Sequence, residues 1–237
     1  MLDRAISHPA LHRALWFFGL MLVVAQAAAQ EEGFVSLFNG QDLAGWRGDT
    51  SYWSVQDGAI TGRTTAEKPL RYNTFLIWEG GQPADFELRL SFRIVGGNSG
   101  VQYRSKVLEE ARYIVGGYQA DIDAANRYTG MCYEERGRGF LAPRGQRVTI
   151  AADGQKTVEM LADPAELQTK IKNEDWNEYR IVARGPHLQH YINSVLMAEL
   201  VDHQTDKAAS AGVIALQLHQ GPPMTVQFKN IRLKEFK

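Results

Sequence analysis

Cysteine is almost missing from these 237 residues: Cys132 is the only one. No internal disulfide can form, so burial and hydrogen bonding must hold the fold, and Cys132 reads as a small buried hydrophobe. Net charge is nearly missing as well, at −1 with histidine neutral. A chain this close to neutral gives no reason to expect nucleic acid or an anionic membrane surface as partner. Internal repeats and low-complexity tracts are absent. So are the HxH and HExxH spacings of zinc sites, the GxSxG elbow and a glycine-rich phosphate loop, which leaves zinc, serine-hydrolase and nucleotide chemistry unsupported.

Long apolar runs are confined to the first thirty residues. Arg4 and Arg13 precede the run 15–24 (LWFFGLMLVV), and Ala25, Ala27, Ala28 and Ala29 follow it. Positive start, short apolar core and small residues are the order of a secretory signal peptide, here residues 1–29, with cleavage after Ala27 or Ala29. A spanning helix needs about 20 apolar residues, more than this run offers. The expectation is a soluble, exported bacterial protein, periplasmic or secreted, with no membrane span. Removing Asp3, Arg4 and Arg13, a net +1, takes the charge to −2. Residues 30–237 are of a size that all-β proteins fold as one domain.

What the remainder holds is short strands broken by glycine-rich turns. Residues 85–94 (DFELRLSFRI) alternate strictly, with Phe86, Leu88, Leu90, Phe92 and Ile94 on one side, the pattern of a half-buried antiparallel strand. Segments of the same kind recur through to 225–233. There Val226 and Phe228 fall out of phase with Ile231 and Leu233, which predicts a β-bulge at Lys229–Asn230. One short helix is expected at 164–171, with Asp163 as N-cap and Pro164 in the first turn. Many antiparallel strands and almost no helix predict an all-β fold, a two-sheet antiparallel β-sandwich of jelly-roll type.

Such a fold buries the facing sides of its sheets, so chemistry needs polar residues on an outer face. Gln119 and Asp121 share one face of their strand, while Tyr118, Ala120 and Ile122 take the other. Cys132 and Glu134 oppose Met131, Tyr133 and Glu135. Gly100, Gly117 and Gly130 precede the polar residues and leave room for a ligand. Alternatively, this is a solvated face with cross-strand ion pairs such as Arg104–Asp121. Gln217 and His219 point away from the Ile214, Leu216, Leu218 stripe, whereas His190 shares a face with Leu188 and Ile192, as a packed histidine would.

Several segments in order resemble one family. They are Phe34-Val35-Ser36-Leu37-Phe38-Asn39-Gly40 with Gly45-Trp46, Trp53-Ser54-Val55 with Asp57-Gly58, and Asp85-Phe86-Glu87-Leu88. Next come Asn98-Ser99-Gly100-Val101 with Arg104, Gly117-Tyr118-Gln119-Ala120-Asp121, and Tyr133-Glu134-Glu135. Trp176-Asn177, His190 with Asn193, Gln217 with His219 and Phe228-Lys229-Asn230-Ile231 complete the set. Together they resemble the 3-keto-disaccharide hydrolase domain family across nearly all of residues 30–237. The chain departs from it at Gln119-Ala120-Asp121, where many members carry Glu-x-Gln, and at Asn193-Ser194 in place of Asn-Gly.

The resemblance implies a concanavalin-like jelly roll and a carbohydrate substrate, a 3-keto-glycoside whose glycosidic bond is broken. A ketone at C3 acidifies the C2 proton, the resulting enolate expels the C1 aglycone, and water adds to give net hydrolysis. Asp121 and Glu134 are the expected carboxylates, with His219 or Arg104 stabilising the enolate. Glu87, Asn98, Arg104, Tyr118, Gln119, Glu135, His190 and Gln217 are candidates for holding substrate. A dehydrogenase that forms the 3-keto group is implied as a functional partner. No cofactor is required; a divalent metal stays open, with Asp121, Glu134, Glu135 and His219 as possible ligands whose spacing is not diagnostic. An ordinary two-carboxylate glycosidase, a non-catalytic glycan-binding module and a structural envelope protein are the alternatives.

Overall fold

The computed structural model describes residues 32–237, so the expected signal peptide lies outside the described residues. Two sheets pack face to face. From edge to edge the larger runs Lys156–Met160, Gln146–Ile150, Val195–Asp202, His187–Ile192, Asn177–Arg184, Phe86–Val95, Met224–Glu235, Ala59–Thr64 and Trp53–Gln56, with Val35–Ser36 beside Met224–Glu235. The seven-stranded sheet runs Gly139–Ala142, Cys132–Glu135, Ile114–Asp123, Asn98–Glu109, Val213–Leu218, Thr74–Trp78 and Trp46–Arg47. Pairing is antiparallel except between Gln146–Ile150 and Val195–Asp202, which are parallel. The all-β sandwich read from the sequence is the fold observed.

Alternation builds the core. Phe86, Leu88, Leu90, Phe92 and Ile94 are buried, while Glu87, Arg89, Ser91 and Arg93 between them are half-buried. Facing them from the smaller sheet are Val101, Tyr103, Tyr118, Ala120, Ile122 and Cys132. Each large apolar side chain sealed between the sheets contributes about 1.5–3 kcal/mol. Turns follow the local chemistry: Asp57 and Gly58 both take positive φ, 51° and 70°, the conformation of a two-residue hairpin turn. Asn193 and Ser194 do the same at 49° and 69°, so a serine occupies a position that glycine fills without strain.

The bulge predicted at Lys229–Asn230 is present. Pairing with Phe86–Val95 slips between Lys229 and Arg232, and Asn230 has φ 54°. The helix is Pro164–Gln168, shorter than expected, with the Asp163 carboxylate accepting from Ala165 N at 2.7 Å. Strands Trp46–Arg47, Gly139–Ala142 and Lys156–Met160 carry little alternation in sequence and emerge only as edges of the sheets. Among the described residues no helix is long and apolar enough to cross a membrane.

Candidate functional site

A cleft of about 830 Å³ lies against the outer face of the seven-stranded sheet. Four strands feed it: Phe140, then Tyr133 and Glu135, then Gln119, Asp121 and Asp123, then Asn98; His219 and Asn73 enter from beyond the ends of two more. Strand alternation puts Gln119, Asp121 and Asp123 on this face. The register sets their neighbours, because Gln119 pairs with Tyr133 and Gly117 with Glu135. The odd-numbered residues of Cys132–Glu135 therefore share the Asp121 face.

Asp121 is buried to within 4% of its surface. Its Oδ1 accepts from Gln119 Nε2 at 2.6 Å. Burial pushes its pKa up to about 8; the Gln119 bond works against this, and the charges of Glu135 and Asp123 add to it. At neutral pH Asp121 is therefore mostly a neutral acid. With Oδ1 occupied as an acceptor, Oδ2 is left to carry the proton. Glu135 is also buried, its Oε1 accepting from Asn73 Nδ2 at 3.1 Å and its Oε2 from Gln217 Nε2 at 3.3 Å. Above this pair Phe140 packs on Tyr128 and Tyr133, with ring centroids 5.2 and 5.1 Å apart. Phe140 is exposed, so the cluster offers an aromatic wall beside the acidic floor.

The cleft gathers Asp121, Gln119, Asn98, Glu135 and His219 from the sequence candidates, with Gln217 touching it through Glu135. Five others lie elsewhere. Glu134 is on the opposite face of its strand from Asp121, paired with Arg138 Nε at 2.8 Å. Tyr118 turns inward and its hydroxyl donates a hydrogen bond to Asp202 Oδ2 at 2.5 Å. His190 is a core residue between Tyr103 and Tyr179; burial lowers its pKa to about 4, so it is neutral there. Glu87 is on the outer face of the other sheet beside Arg89.

Arg104 leaves the alternation altogether. Its φ is 47°, and it stands where the pairing of Asn98–Glu109 with Ile114–Asp123 slips. The guanidinium reaches Ala84 O, Gly185 O and Asp85 Oδ1 at 2.7–2.8 Å, so its ion pair is with Asp85 and not Asp121. It ties the two sheets together and is unavailable to an enolate.

The three glycines leave no room for a ligand either. A Cβ at Gly100 would lie 2.5 Å from Gln119 Cδ, at Gly117 2.6 Å from Ser105 Oγ, and at Gly130 2.7 Å from Met197 Cβ. Their space is filled by the protein's own side chains. Asn73, Tyr133 and Phe140 were not among the sequence candidates; only Tyr133, two residues before Glu135, carried a parity signal. Among the described residues no group of three or more His, Cys, Asp or Glu is arranged to hold a metal ion.

The protein is a jelly-roll β-sandwich with an acidic, amide-lined cleft and an aromatic wall over one sheet, and the domain it carries is carbohydrate-related. The particular family follows from residues 33–234, which match the 3-keto-alpha-glucoside-1,2-lyase-like domain. The chain belongs to that family, the one its sequence resembles. No curated protein sequence matches it.

Among solved structures, a Parabacteroides distasonis protein provisionally described as a glycosyl hydrolase is similar at 18% identity. That match covers 86% of this chain and 99% of the other, with TM-score 0.55. A Bacillus subtilis protein of unknown function with a galectin-like fold matches at 11% identity over 81% and 90% of the two chains, TM-score 0.53. The carbohydrate binding module CBM66 of B. subtilis matches at 17% over 81% and 96%, TM-score 0.51. At these identities the likeness is one of fold.

Proposed function

We propose that this protein cleaves the glycosidic bond of 3-keto-glycosides by elimination across C1 and C2, followed by hydration. One observation carries the reading: two carboxyl groups from neighbouring strands, Asp121 and Glu135, enter one cleft, and Asp121 keeps its proton at neutral pH. In this reading Glu135, held by Asn73 and Gln217, takes the C2 proton, and the C2–H electron pair becomes the enolate of the C3 ketone. The enolate re-forms the ketone as the C1–O bond breaks. Asp121 Oδ2 delivers its proton to the departing oxygen, releasing the aglycone as an alcohol. Water then adds across the C1–C2 double bond, hydroxyl to C1 and hydrogen to C2, and the sum is hydrolysis. His219 stands at the rim of the same cleft, its Nδ1–H donating to the Gln220 carbonyl oxygen. Glu135 thus takes the place of Glu134, which faces away.

The substrate must come from a reaction that oxidises a sugar C3 hydroxyl, the work of a dehydrogenase. The signal-like segment 1–29 supports the same chemistry outside the cytoplasm. N-terminal sequencing of protein recovered from periplasm or medium is expected to begin at Ala28 or Gln30; an intact Met1 there would refute export by cleavage.

The test of the activity is product release from matched glucosides with and without the 3-keto group. Cleavage of the keto form alone is expected. Cleavage of both would make the protein a conventional two-carboxylate glycosidase. Binding with no cleavage of either would favour a glycan-binding module, the reading that the exposed Phe140, packed on half-buried Tyr128 and Tyr133, supports.

A further inference from the structure

We propose that Ser105 and Gln102, which do not line the cleft, are positioning residues for Asp121: a one-way chain of hydrogen-bond donors fixes which carboxyl oxygen faces the substrate. The Ser105 hydroxyl donates to Gln102 Oε1 at 2.6 Å, nearer than its other acceptors, Tyr103 O at 3.0 Å and Tyr118 O at 3.3 Å. Gln102 Nε2 donates to Gln119 Oε1 at 2.7 Å, and Gln119 Nε2 donates to Asp121 Oδ1 at 2.6 Å. All four residues are buried, from Gln102 at 0% to Asp121 at 4% exposure.

The direction of this chain is its content. A primary amide accepts at oxygen and donates at nitrogen, so fixing one end of its plane fixes the other. A hydroxyl proton on Gln102 Oε1 turns the Gln102 nitrogen toward Gln119. That in turn leaves the Gln119 nitrogen, not its oxygen, for Asp121. Oδ1 is then always an acceptor, and Oδ2 is the oxygen that holds and releases the proton. Were the Gln119 amide reversed, its oxygen would meet Oδ1, and the acid proton would be drawn inward, away from the cleft.

The backbone is shaped for this chain. Ser105 sits where the strand pairing slips between Tyr103 and Lys106, which brings its Oγ back to Gln102 three residues earlier. Gly117 leaves the volume that Ser105 Oγ occupies, and Gly100 the volume of the Gln119 side chain. A low-dielectric setting strengthens each bond and makes reversal of any one costly. The charged and titratable groups that share the cleft with Asp121 are Asp123 on its own strand, Glu135 and Tyr133 on the next, and Arg127, Tyr128, Glu174 and His219 around the rim. Among the described residues none of these hydrogen-bonds Ser105 or Gln102, so substitution there changes the chain without removing a charge from the site.

The catalytic consequence rests on the proposed keto-glycoside activity, but the positioning can be measured without substrate. Carboxyl carbon NMR of aspartate-labelled protein follows the Asp121 titration in the parent and in Ser105→Ala and Gln102→Leu. Losing the ordered Gln119 donor, which favours the charged form, is expected to move the midpoint upward by about half a pH unit or more in both variants. The alkaline limb of the kcat profile should move with it, with KM close to the parent's. Gln102→Asn is the second variant should Gln102→Leu fail to fold, and the same upward shift is expected of it. Midpoints equal to the parent's in Ser105→Ala and one folded Gln102 variant would overturn the positioning, whatever the activity. A shifted midpoint in a protein that cleaves no keto-glycoside would uphold the positioning and overturn the activity.

Discussion

Asp121→Asn is expected to lose at least about 100-fold in kcat on a 3-keto-glycoside and yet be more stable than the parent at neutral pH. The first half follows from the proton that Oδ2 must deliver; an amide in its place has none of suitable acidity. The second half is linkage. The Asp121 pKa rises from 3.8 to about 8 on folding, so between those values the folded state binds the proton that the unfolded state has released. Stability is then present in full below about pH 4 and is lost as pH rises toward 8. At about 1.4 kcal/mol per unit, the loss by pH 7 is roughly 4 kcal/mol. Asparagine does not titrate and still offers an oxygen to Gln119 Nε2, so the variant avoids the loss. Melting curves of the two proteins should coincide near pH 4 and separate steadily up to pH 8. Equal separation at all pH values would show that Asp121 ionises freely, and full turnover by the variant would remove Asp121 from the reaction.

The second large effect lies between the sheets. Arg138 holds Glu134 with Nε and Nη2, and its two terminal nitrogens reach Asp202, to Oδ2 at 2.7 Å and Oδ1 at 3.2 Å. Asp202 belongs to the ten-stranded sheet, Glu134 to the seven-stranded one, and Tyr118 donates to Asp202 from the same side. Although burial of Asp202 opposes ionisation, the Arg138 and Tyr118 bonds hold its pKa below the usual carboxylate range. Arg138→Met is expected to cost about 3 kcal/mol in urea unfolding at pH 7, because it leaves buried charge without a partner. A lowered folded pKa means that the stabilisation by Asp202 is present above about pH 4 and lost in acid. The gap between parent and variant should therefore narrow as pH falls below 4. Adding Asp202→Asn to Arg138→Met should recover part of the loss. A single variant as stable as the parent at pH 7 would show that the network contributes nothing to holding the sheets.

The contrast between Asp121 and Glu134 shows how far a sequence reaches in a β-protein. Alternation is a property of one strand, so residue order alone reveals the core face of Phe86–Val95, the shared face of Gln119 and Asp121, and the phase slip at Asn230. The same alternation separates Glu134 from Glu135, but does not say which of them joins Asp121. That choice belongs to the register between two strands, and the pairing of Gln119 with Tyr133 decides for Glu135. A shift of one residue would have reversed it.

Arg104, Tyr118 and His190 stand outside this cleft for related reasons. A positive φ at a register slip takes Arg104 out of its strand's pattern. The partners that draw Tyr118 and His190 into the core, Asp202 and Tyr103, stand 84 and 87 residues away in the chain. By itself the sequence determined the sandwich, the family and the cleft-facing side of one strand, because these rest on local periodicity and order along the chain. Tertiary structure decided the second carboxylate, the filling of the glycine gaps and the inward amide chain, because each depends on what another strand places opposite.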